Sequence, residues 1–465
     1  MPAEPTRIES DSLGQVKVPA TALYGSNTVR AMQNFPLGAK TLGQESTLLN
    51  AIVDIKKSAA LANNELGKLN HAITNAIVSA CDEILNQSLN HHFPVPLLEG
   101  SGGTSTNMNV NEVICNRALQ LLNKAPGDYT TVHPNDHVNL SQSTNDVLPS
   151  AIKLACYRRA QPLSAELIKL SDTLNNKAHE FNSVFRLGRT CLQDAQPMTL
   201  GQAFSGYAAA TKRAADKILL AAESLTSLPL GGTAIGTGMG SAAGFKYTVF
   251  KHLSNITGVP LSPAENPFDG LQNIDALQRL SAELEAASAV CAKVSKDLIL
   301  LSSGPNGGLA EITLPAVQPG SSIMPGKVNP VLPMAMIQLS QVIHGNHACI
   351  AMACQDGMLE INHYEMAVAS RLLDSLQLLT QQTAIFTTHC VAGISANTDH
   401  CQQQLQQSYA LATALIPELG YRKVSKLVRE SVNTGRPFLQ ICEEQQLIRQ
   451  TDITALLQQA TTVVK

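Results

Sequence analysis

Four polar loops hold the residues of this sequence that are best suited to chemistry. Each loop concentrates hydroxyl and amide side chains just before a segment with helical periodicity, and any one of them alone would be explained as a helix cap. Together they hold more donors than capping needs, and hydroxyl groups at helix N-termini suit carboxylates or phosphates. We therefore predict an anion-binding site built from GSGGTSTNMN at 100–109, HPNDHVNLSQSTND at 133–146, GRTCLQDAQPMTLGQ at 188–202 and GSSIMPGKVNP at 320–330.

Two glycine-rich stretches resemble nucleotide-binding loops but fail the required spacing. LPLGGTAIGTGMGSAAG, at 228–244, does not match the dinucleotide fingerprint, and no strand of a βαβ unit precedes it. GSSIMPGKV has one residue too many between its glycines, and a valine where a phosphate loop needs serine or threonine. The ten cysteines form no CxxC pair, so most are expected to be buried free thiols, with Cys191 as the exception. We therefore expect no cofactor and no metal, and a site that works by acid–base chemistry and electrostatics.

The composition describes a soluble globular protein that is too long for one ordinary core. The chain has 465 residues, of which 44% are hydrophobic and 15% are charged, and its 33 basic and 36 acidic residues are mixed along the sequence. Because it has no basic stripe and no tryptophan, nucleic acid is not an expected partner. The polar start MPAEPTRIESDSLG does not resemble a signal peptide, and no apolar run could span a membrane. We therefore expect a cytoplasmic protein without a membrane partner.

Helical periodicity dominates the chain and must position the four loops. Apolar residues follow one another at steps of three and four from Leu277 to Leu301, as a packed helix seam requires. Strand signals are weak, and VKVPA at 16–20 is an example. Short helices are predicted at 45–66, 71–88 and 109–123, and long ones at 146–183 with a kink at Pro162, 199–227, 277–301, 328–355 and 364–390.

The long helices predict a mainly all-α fold built around a long central helical bundle. We divide the chain into an N-terminal helical domain at 1–143, the bundle domain at 144–395 and a small C-terminal helical domain at 396–465. Apolar residues occupy more than one face of the helix predicted at 328–355, which favours packing between subunits over a monomer.

The loop GSSIMPGKVNP, called the signature loop below, resembles the signature sequence of the fumarase/aspartase superfamily. The similarity to that superfamily extends from about residue 6 to residue 435. Five further segments resemble superfamily segments and occur in the same order: TALYGSNTVRAMQNF, HPNDHVN, GRTCLQDAQPMTLGQ, GTAIGTG and LLSSGPNGGLAEITLP. Members of this superfamily cleave substrates that yield fumarate, by anti elimination, in homotetramers of long helical bundles. The resemblance therefore implies a lyase for a small dicarboxylate, assembled as a homotetramer with shared active sites.

The same resemblance assigns roles to individual residues. Removing a proton next to a carboxylate creates a doubly negative aci-carboxylate, which needs positive charge and many donors around it. Ser321 is implied as the base that takes the C3 proton, and Lys327 as the source of positive charge. The implied substrate-binding set is Thr104, Ser143, Thr144, Asn145, Thr190, Cys191 and Asn329, together with Lys327; His133, Asn135 and Asp136 are similar to the secondary carboxylate site of fumarases.

Three functions remain open within the resemblance. Fumarases place histidine at the position of Cys191 and glutamate at the position of Met334, and a thiol with a thioether cannot position a water in the same way. The active-site loops are more similar to aspartases, so deamination of L-aspartate or a close derivative is our first hypothesis. Class II fumarate hydratase is the second, and a catalytically silent structural homologue is the third. The segment at 358–371 and Gly240, where the superfamily has asparagine, also depart from the pattern and predict an altered pocket.

Overall fold

The computed structural model describes residues 5–448 and 453–462 and is mainly helical. Its helices are α1 (Ser26–Asn34), α2 (Ser46–Glu65), α3 (His71–Leu85), α4 (Thr104–Leu121), α5 (Thr144–Glu180), α6 (Leu200–Glu223), α7 (Phe245–Thr257), α8 (Pro267–Gln272), α9 (Asp275–Leu301), α10 (Val331–Gln355), α11 (Glu365–His389), α12 (Thr398–Gln407), α13 (Ile416–Leu419), α14 (Tyr421–Thr434), α15 (Phe438–Glu444) and α16 (Ile453–Thr461). The predicted mainly all-α fold is confirmed, and the helix periodicity located every long helix. Within the described residues, no helix is both long and apolar enough to cross a membrane.

The strands form small two-stranded sheets. Two antiparallel hairpins, β1 (Thr6–Asp11) with β2 (Gly14–Pro19) and β3 (Phe185–Thr190) with β4 (Gln193–Thr199), are the longest. The strand signal at VKVPA corresponds to β2. The remaining pairs are two residues long: β5 (Ser227–Leu228) with β6 (Ser262–Pro263), and β7 (Ile312–Thr313) with β8 (Ser395–Ala396).

Three predicted helix starts lie later than the observed ones: α9 begins at Asp275 rather than at 277, and the other two differences concern the polar loops. Helix α4 begins at Thr104 rather than at 109, and α5 begins at Thr144 rather than at 146. The run TSTNMN has low helix propensity because Ser, Thr and Asn compete for backbone hydrogen bonds, yet here it forms the first turns of α4. The hydroxyl groups at 104 and 144 are therefore first-turn residues rather than loop residues. Helix α5 continues through both Pro149 and Pro162.

The chain divides into two compact units that are not contiguous in sequence. The first comprises Met1–Ser164, Lys217–Glu285 and Val342–Leu378, and the second comprises Ala165–Asp216, Ala286–Gln341 and Leu379–Lys465. Each of α5, α6, α9, α10 and α11 contributes residues to both units. The three-domain division at 143/144 and 395/396 stays a prediction.

In the first unit, a buried carboxylate caps helix α1 from outside its own sequence. Glu112, which is 1% exposed, accepts hydrogen bonds from the backbone N–H groups of Gly25 (2.7 Å), Asn27 (2.9 Å) and Thr28 (3.2 Å). Burial raises the pKa of Glu112, and these donors oppose that shift. A Cβ atom at position 25 would lie 2.6 Å from Glu9 Oε2, so only glycine fits there. This cap holds α1 against α4, and α1 carries Asn27 and Arg30.

In the second unit, the hairpin β3–β4 is anchored by a buried ion cluster. Arg186 and Arg189 both pair with Glu311, which is fully buried, and the Arg186 Nε to Glu311 Oε2 distance is 2.6 Å. Leu187, between the two arginines, packs into an apolar cluster with residues of the C-terminal helices such as Phe438. The hairpin therefore has a rigid base, and its turn projects beyond that base.

Candidate active site

The N-terminus of α4 borders a small polar cavity in the first unit. Gly102 and Gly103 precede the helix with φ angles of 63° and 83°, and the exposed side chain of Thr104 is the first of the helix. The cavity has a volume of about 230 Å³. Its polar lining consists of Asn27, Arg30, Asn34, Ser101, Thr104 and Ser105. Arg30 already pairs with Asp11 and the Asn27 amide donates to Glu112, so the hydroxyl groups are the part of this lining that suits a small carboxylate.

The N-termini of α4 and α5 meet in the same unit. A Cβ atom at Gly103 would lie 3.0 Å from Leu148 Cγ and 3.5 Å from Thr144 Cγ2. Asn107 of α4 donates from Nδ2 to the hydroxyl oxygen of Thr144 at 3.0 Å. The structure therefore brings Thr104 together with the predicted run 143–145, because glycine allows the two helix ends to approach closely.

Asp146 holds the start of α5 in place. One carboxylate oxygen accepts the N–H of Ser143 at 2.9 Å, and the other accepts the N–H groups of Gly231 and Thr233, each at 3.0 Å. Asn145 donates to the carbonyl oxygen of Ala234 at 2.8 Å. The glycine-rich stretch at 228–244, which failed as a nucleotide loop, thus fixes the geometry of residues 143–145.

The departure at Gly240 has a backbone explanation. This residue has a φ angle of 86°, and an added Cβ atom would meet nothing within 4 Å. Asparagine, the superfamily residue, is the side chain that most readily adopts the same left-handed conformation. The change is therefore compatible with an unchanged loop, and the altered pocket predicted from it is not required at this position.

A buried lysine that the sequence analysis missed lies behind these donors. Lys56 of α2 is fully buried and donates from Nζ to Asn139 Oδ1 at 2.8 Å, an oxygen that also accepts from Asn107 and Asn111, each at 3.2 Å. Burial lowers the pKa of Lys56 to about 7, and the negative charge of Asp146 partly opposes the shift. The sequence has one feature that indicates a buried lysine here. Lys56 lies within the apolar run AIVDIKKSAALA, in which one of the two lysines must face the core.

We expect the stability of the protein to depend on Lys56 through pH. The unfolded chain keeps the lysine proton up to its ordinary pKa of 10.5, whereas the folded chain releases it near 7, so the unfolded state binds more protons between these values. The free energy of unfolding should therefore rise with pH across this window. Lys56→Met should show a smaller rise, measured by urea unfolding at pH 7 and at about pH 9.5.

The neighbouring lysine provides the matched control for this measurement. Lys57 is partly exposed and pairs with Asp82 at 2.6 Å. Lys57→Met should therefore keep the pH dependence of the wild type. Parallel pH curves for wild type and Lys56→Met would contradict the assignment of a buried, neutral Lys56.

The predicted secondary carboxylate residues lie on one short helical turn of the first unit. His133 Nδ1 accepts the backbone N–H groups of Asn135 (3.2 Å) and Asp136 (3.3 Å), and both of these side chains are exposed. The ring therefore caps its own turn through Nδ1 and has Nε2 left for another partner. A role for this trio in carboxylate binding stays a prediction.

Segment 358–371, which departs from the superfamily pattern, borders the loop before α4. A Cβ atom at Gly102 would lie 3.3 Å from His363 Cβ. Glu365, at the start of α11, is 2% exposed, and burial and then the charge of Glu99 raise its pKa well above the ordinary value. A buried carboxyl group near the Thr104 cavity is a feature that the sequence alone did not reveal.

In the second unit, Thr190 and Cys191 occupy the tip of the hairpin β3–β4. Thr190 pairs with Gln193, so Cys191 and Leu192 form a two-residue turn, with φ angles of 53° and 61°. Such a turn requires positive φ at both central residues and favours Asn-Gly. Both side chains are exposed, so packing within the unit does not explain why two successive residues keep this strained left-handed conformation.

We expect an Asn-Gly turn at these positions to stabilise the protein. The double substitution Cys191→Asn with Leu192→Gly should raise the free energy of unfolding by about 1 kcal/mol, because both replacements relieve the left-handed strain. The control Leu192→Ala keeps a Cβ atom at positive φ and should bring no such gain. Urea unfolding of the three proteins decides between these outcomes.

The signature loop closes on itself in the second unit. Gly320 donates its N–H to the carbonyl oxygen of Lys327 at 2.7 Å, and Asn329 Nδ2 donates to the carbonyl oxygen of Gly320 at 2.7 Å. A Cβ atom at Gly320 would lie 2.7 Å from that Lys327 oxygen, which explains the glycine. The structure therefore brings Ser321, Lys327 and Asn329 onto one short loop, in which the Lys327 side chain is exposed and makes no ion pair with a described residue.

The hydroxyl oxygen of Ser321 lies close to two backbone N–H groups of its own loop. This oxygen accepts the backbone N–H groups of Ile323 (3.2 Å) and Met324 (3.0 Å). Two N–H donors aimed at one oxygen stabilise negative charge on it, as in an anion-binding nest. The same contacts would also occur in an ordinary serine turn, so only kinetics separates the two interpretations.

Comparison with known proteins decides the family. A family model described as lyase matches residues 14–345. The chain is 40% identical to aspartate ammonia-lyase of Bacillus subtilis, covering 97% of this chain and 94% of that protein, and 41% identical to mitochondrial fumarate hydratase of Rattus norvegicus, covering 92% and 85%. This protein belongs to the fumarase/aspartase superfamily of lyases. A fumarate lyase:delta crystallin from Brucella melitensis has a similar structure, with a TM-score of 0.96, 39% identity and coverage of 98% of this chain and 100% of that chain.

The overall similarity of the lyase does not separate deamination from hydration. Aspartate ammonia-lyase and fumarate hydratase relatives are equally similar within one percentage point. The distinction must come from the two positions at which the chain departs from fumarases. Cys191 lies exposed at the hairpin tip, and Met334 lies in the first turn of α10 with 43% of its surface exposed.

Most of the remaining thiols agree with the sequence expectation. Seven of the ten cysteines are buried, and burial raises the pKa of each of them, including Cys291 to about 12. Cys349 is the second exposed thiol, which the sequence analysis did not anticipate. The buried thiols behave as small apolar side chains in this lyase.

Proposed function

We propose that this lyase deaminates L-aspartate, or a close derivative, to fumarate and ammonia by anti elimination, with Ser321 as the base. The observation that supports this best is the pair of backbone N–H groups aimed at the Ser321 hydroxyl oxygen. Relatives named aspartate ammonia-lyase at 39–41% identity also support the proposal.

The negative charge that develops on the substrate during this reaction explains the roles proposed for the other residues. Ser321 takes the C3 proton, and the electron pair moves onto the neighbouring carboxylate, which becomes an aci-carboxylate dianion. Lys327 supplies the compensating positive charge. The hydroxyl and amide groups of Thr104, Thr190 and Asn329, with those of 143–145, bind the two carboxylates. The C–N bond then breaks on the opposite face, and ammonia leaves.

We also propose that the chain assembles as a homotetramer with shared active sites and works in the cytoplasm. Exposed apolar residues along α10 support self-association, because Met334, Val342 and Met352 are 43%, 51% and 65% exposed. Size-exclusion chromatography with light scattering tests the assembly. A monomer at micromolar concentration would contradict it.

Class II fumarate hydratase remains the second candidate function. The similarity to rat fumarate hydratase and the turn formed by His133, Asn135 and Asp136 favour it. The thiol of Cys191 and the thioether of Met334 argue against it, because neither can orient an attacking water as a histidine and a glutamate can.

A substrate panel tests the proposal. L-aspartate, 3-methylaspartate, malate and argininosuccinate are each incubated with the assembled protein, and the unsaturated product is followed by its ultraviolet absorbance. Aspartate should give fumarate and an equal amount of ammonia. Rapid malate dehydration without aspartate turnover would replace the proposal by the hydratase, and no turnover with any substrate would favour the catalytically silent homologue.

A further inference from the structure

A second cavity, separate from the Thr104 cavity, lies within the second unit. Its volume is about 550 Å³, which is in the range of sites for drug-sized molecules and far larger than a molecule such as aspartate requires. One side is formed by β3, β4 and α6, and the other by α9 and Leu309. Its apolar wall consists of Leu192, Met198, Val290, Val294, Leu300, Leu301 and Leu309.

A buried guanidinium group faces this cavity without a hydrogen bond. Arg186 lines the cavity and is 7% exposed. Its Nε lies 2.6 Å from Glu311 Oε2, so the two groups form a buried ion pair, although the contact lacks hydrogen-bond geometry. The N–H groups on Nη1 and Nη2 of Arg186 make no hydrogen bond with a described residue. Buried donors of this kind need an acceptor.

The charges around the cavity leave one positive charge uncompensated. Arg186, Arg189 and Lys293 line it as cations, and Asp297 lines it as an anion. Asp297 pairs with Lys293, while Glu311 is the single carboxylate that Arg186 and Arg189 share. Three cations and two carboxylates give a net charge of plus one.

A further polar group of the cavity, Tyr207 of α6, is satisfied and neutral. Tyr207 donates its hydroxyl to Asp297 Oδ2 at 2.7 Å, and Lys293 lies over its ring at 4.8 Å from the centroid. Burial raises the pKa of Tyr207, so the phenol stays neutral. The uncompensated charge therefore lies on the two arginines.

We propose that this cavity binds an amphipathic monocarboxylate, with its carboxylate on Arg186 and its apolar body against the leucines and valines of α9. A single carboxylate supplies an acceptor for the Nη1 and Nη2 groups of Arg186 and neutralises the net charge. A dicarboxylate would leave one charge buried against apolar side chains, at a high cost. The site does not depend on the proposed reaction.

Calorimetry on the full, assembled protein tests this proposal with three probes. The probes are 3-phenylpropionate, octanoate and the uncharged 3-phenylpropanamide. At least one acid should bind with a Kd below about 1 mM, and the amide should bind at least about tenfold more weakly than 3-phenylpropionate. The two acids distinguish an aromatic from an aliphatic body. Absence of binding by both acids, as when a second copy of the chain covers the cavity, overturns the proposal, and so does equal binding of the amide.

A cavity-filling variant locates the binding. Gly206 of α6 lines the cavity, and an added Cβ atom there meets nothing within 4 Å, so Gly206→Leu adds side-chain volume to the lining with room for its first atom. Leucine is also a better helix former than glycine. The variant should weaken binding at least about tenfold. Ala209→Leu, at an exposed position of α6 outside the lining, is the control and should bind as the wild type does. Unchanged binding by Gly206→Leu overturns the assignment.

Two charge variants should shift affinity in opposite directions. Lys293→Gln lowers the net charge of the cavity to zero and should weaken 3-phenylpropionate binding several-fold, whereas Asp297→Asn raises it to plus two and should strengthen binding. Excess L-aspartate should not displace the acid. Displacement would assign the acid to the catalytic site, and identical affinities of both charge variants would contradict the electrostatic argument.

Discussion

Replacing Ser321 with alanine should abolish turnover of whichever substrate the panel identifies. The substitution removes the group that takes the C3 proton, and general-base catalysis contributes typically ~100- to ~10,000-fold to rate. We therefore expect kcat to fall by about 100- to 10,000-fold, with KM changed far less, because the carboxylate-binding donors remain. The measurement is a steady-state assay of fumarate formation with wild type and variant at matched concentration.

The adjacent serine makes this experiment decisive. Ser322 is exposed and lies on the same loop, so Ser322→Ala removes a hydroxyl group of the same size at the next position. It should keep near wild-type kcat. Ser321 accepts two N–H groups, so its loss could also loosen the loop; circular dichroism and the oligomeric state of both variants must match the wild type. Comparable activity of Ser321→Ala and Ser322→Ala would reduce Ser321 to a turn residue.

Helical periodicity made much of this architecture predictable. The seam from Leu277 to Leu301 corresponds to α9, which runs from Asp275 to Leu301. Long helices are predictable because a packed face repeats every three or four residues over many turns. Helix starts were less accurate, since the hydroxyl and amide residues at 104 and 144 favour loops as strongly as first turns.

The sequence predicted which donor residues belong to the candidate site, but it did not predict the residues that hold them in place. The signature loop and the run 143–145 stand out in sequence because they concentrate donors. Lys56 and Asp146 do not, because their partners lie at Asn139, 231 and 233, and contacts between residues far apart in sequence have no local pattern. The glycine-rich stretch fails the spacing of a nucleotide loop, and its contacts with Asp146 could be found only from the structure.

Replacing Asp146 with alanine should cause the largest loss of stability among single substitutions at the site. The carboxylate accepts three backbone N–H groups, from Ser143, Gly231 and Thr233, and it is fully buried. Without it, these donors remain in a dry interior with no acceptor, and each such donor costs about 1–3 kcal/mol. We expect the free energy of unfolding to fall by about 3–5 kcal/mol in urea, at a fixed chain concentration because assembly contributes to stability.

The substitution Asp146→Asn separates the loss of charge from the loss of acceptors. Burial raises the pKa of Asp146 to about 6, so near pH 7.5 the carboxylate is ionised and its hydrogen bonds are strengthened by charge. The asparagine side chain would keep an oxygen for the N–H of Ser143 but would turn its amide N–H₂ toward two further N–H groups. Asp146→Asn should therefore lose less stability than Asp146→Ala.

The activity of the two Asp146 variants tests whether the contacts of Asp146 position the candidate site. Residues 143–145 depend on Asp146 for their position, so kcat/KM should fall in the order wild type, Asp146→Asn, Asp146→Ala at temperatures where all three are folded. Asp172→Ala, at an exposed position of the same helix, should change neither stability nor activity. If Asp146→Ala matched that control, the glycine-rich stretch would not hold the start of α5, and the donors at 143–145 would owe their placement to α4 alone.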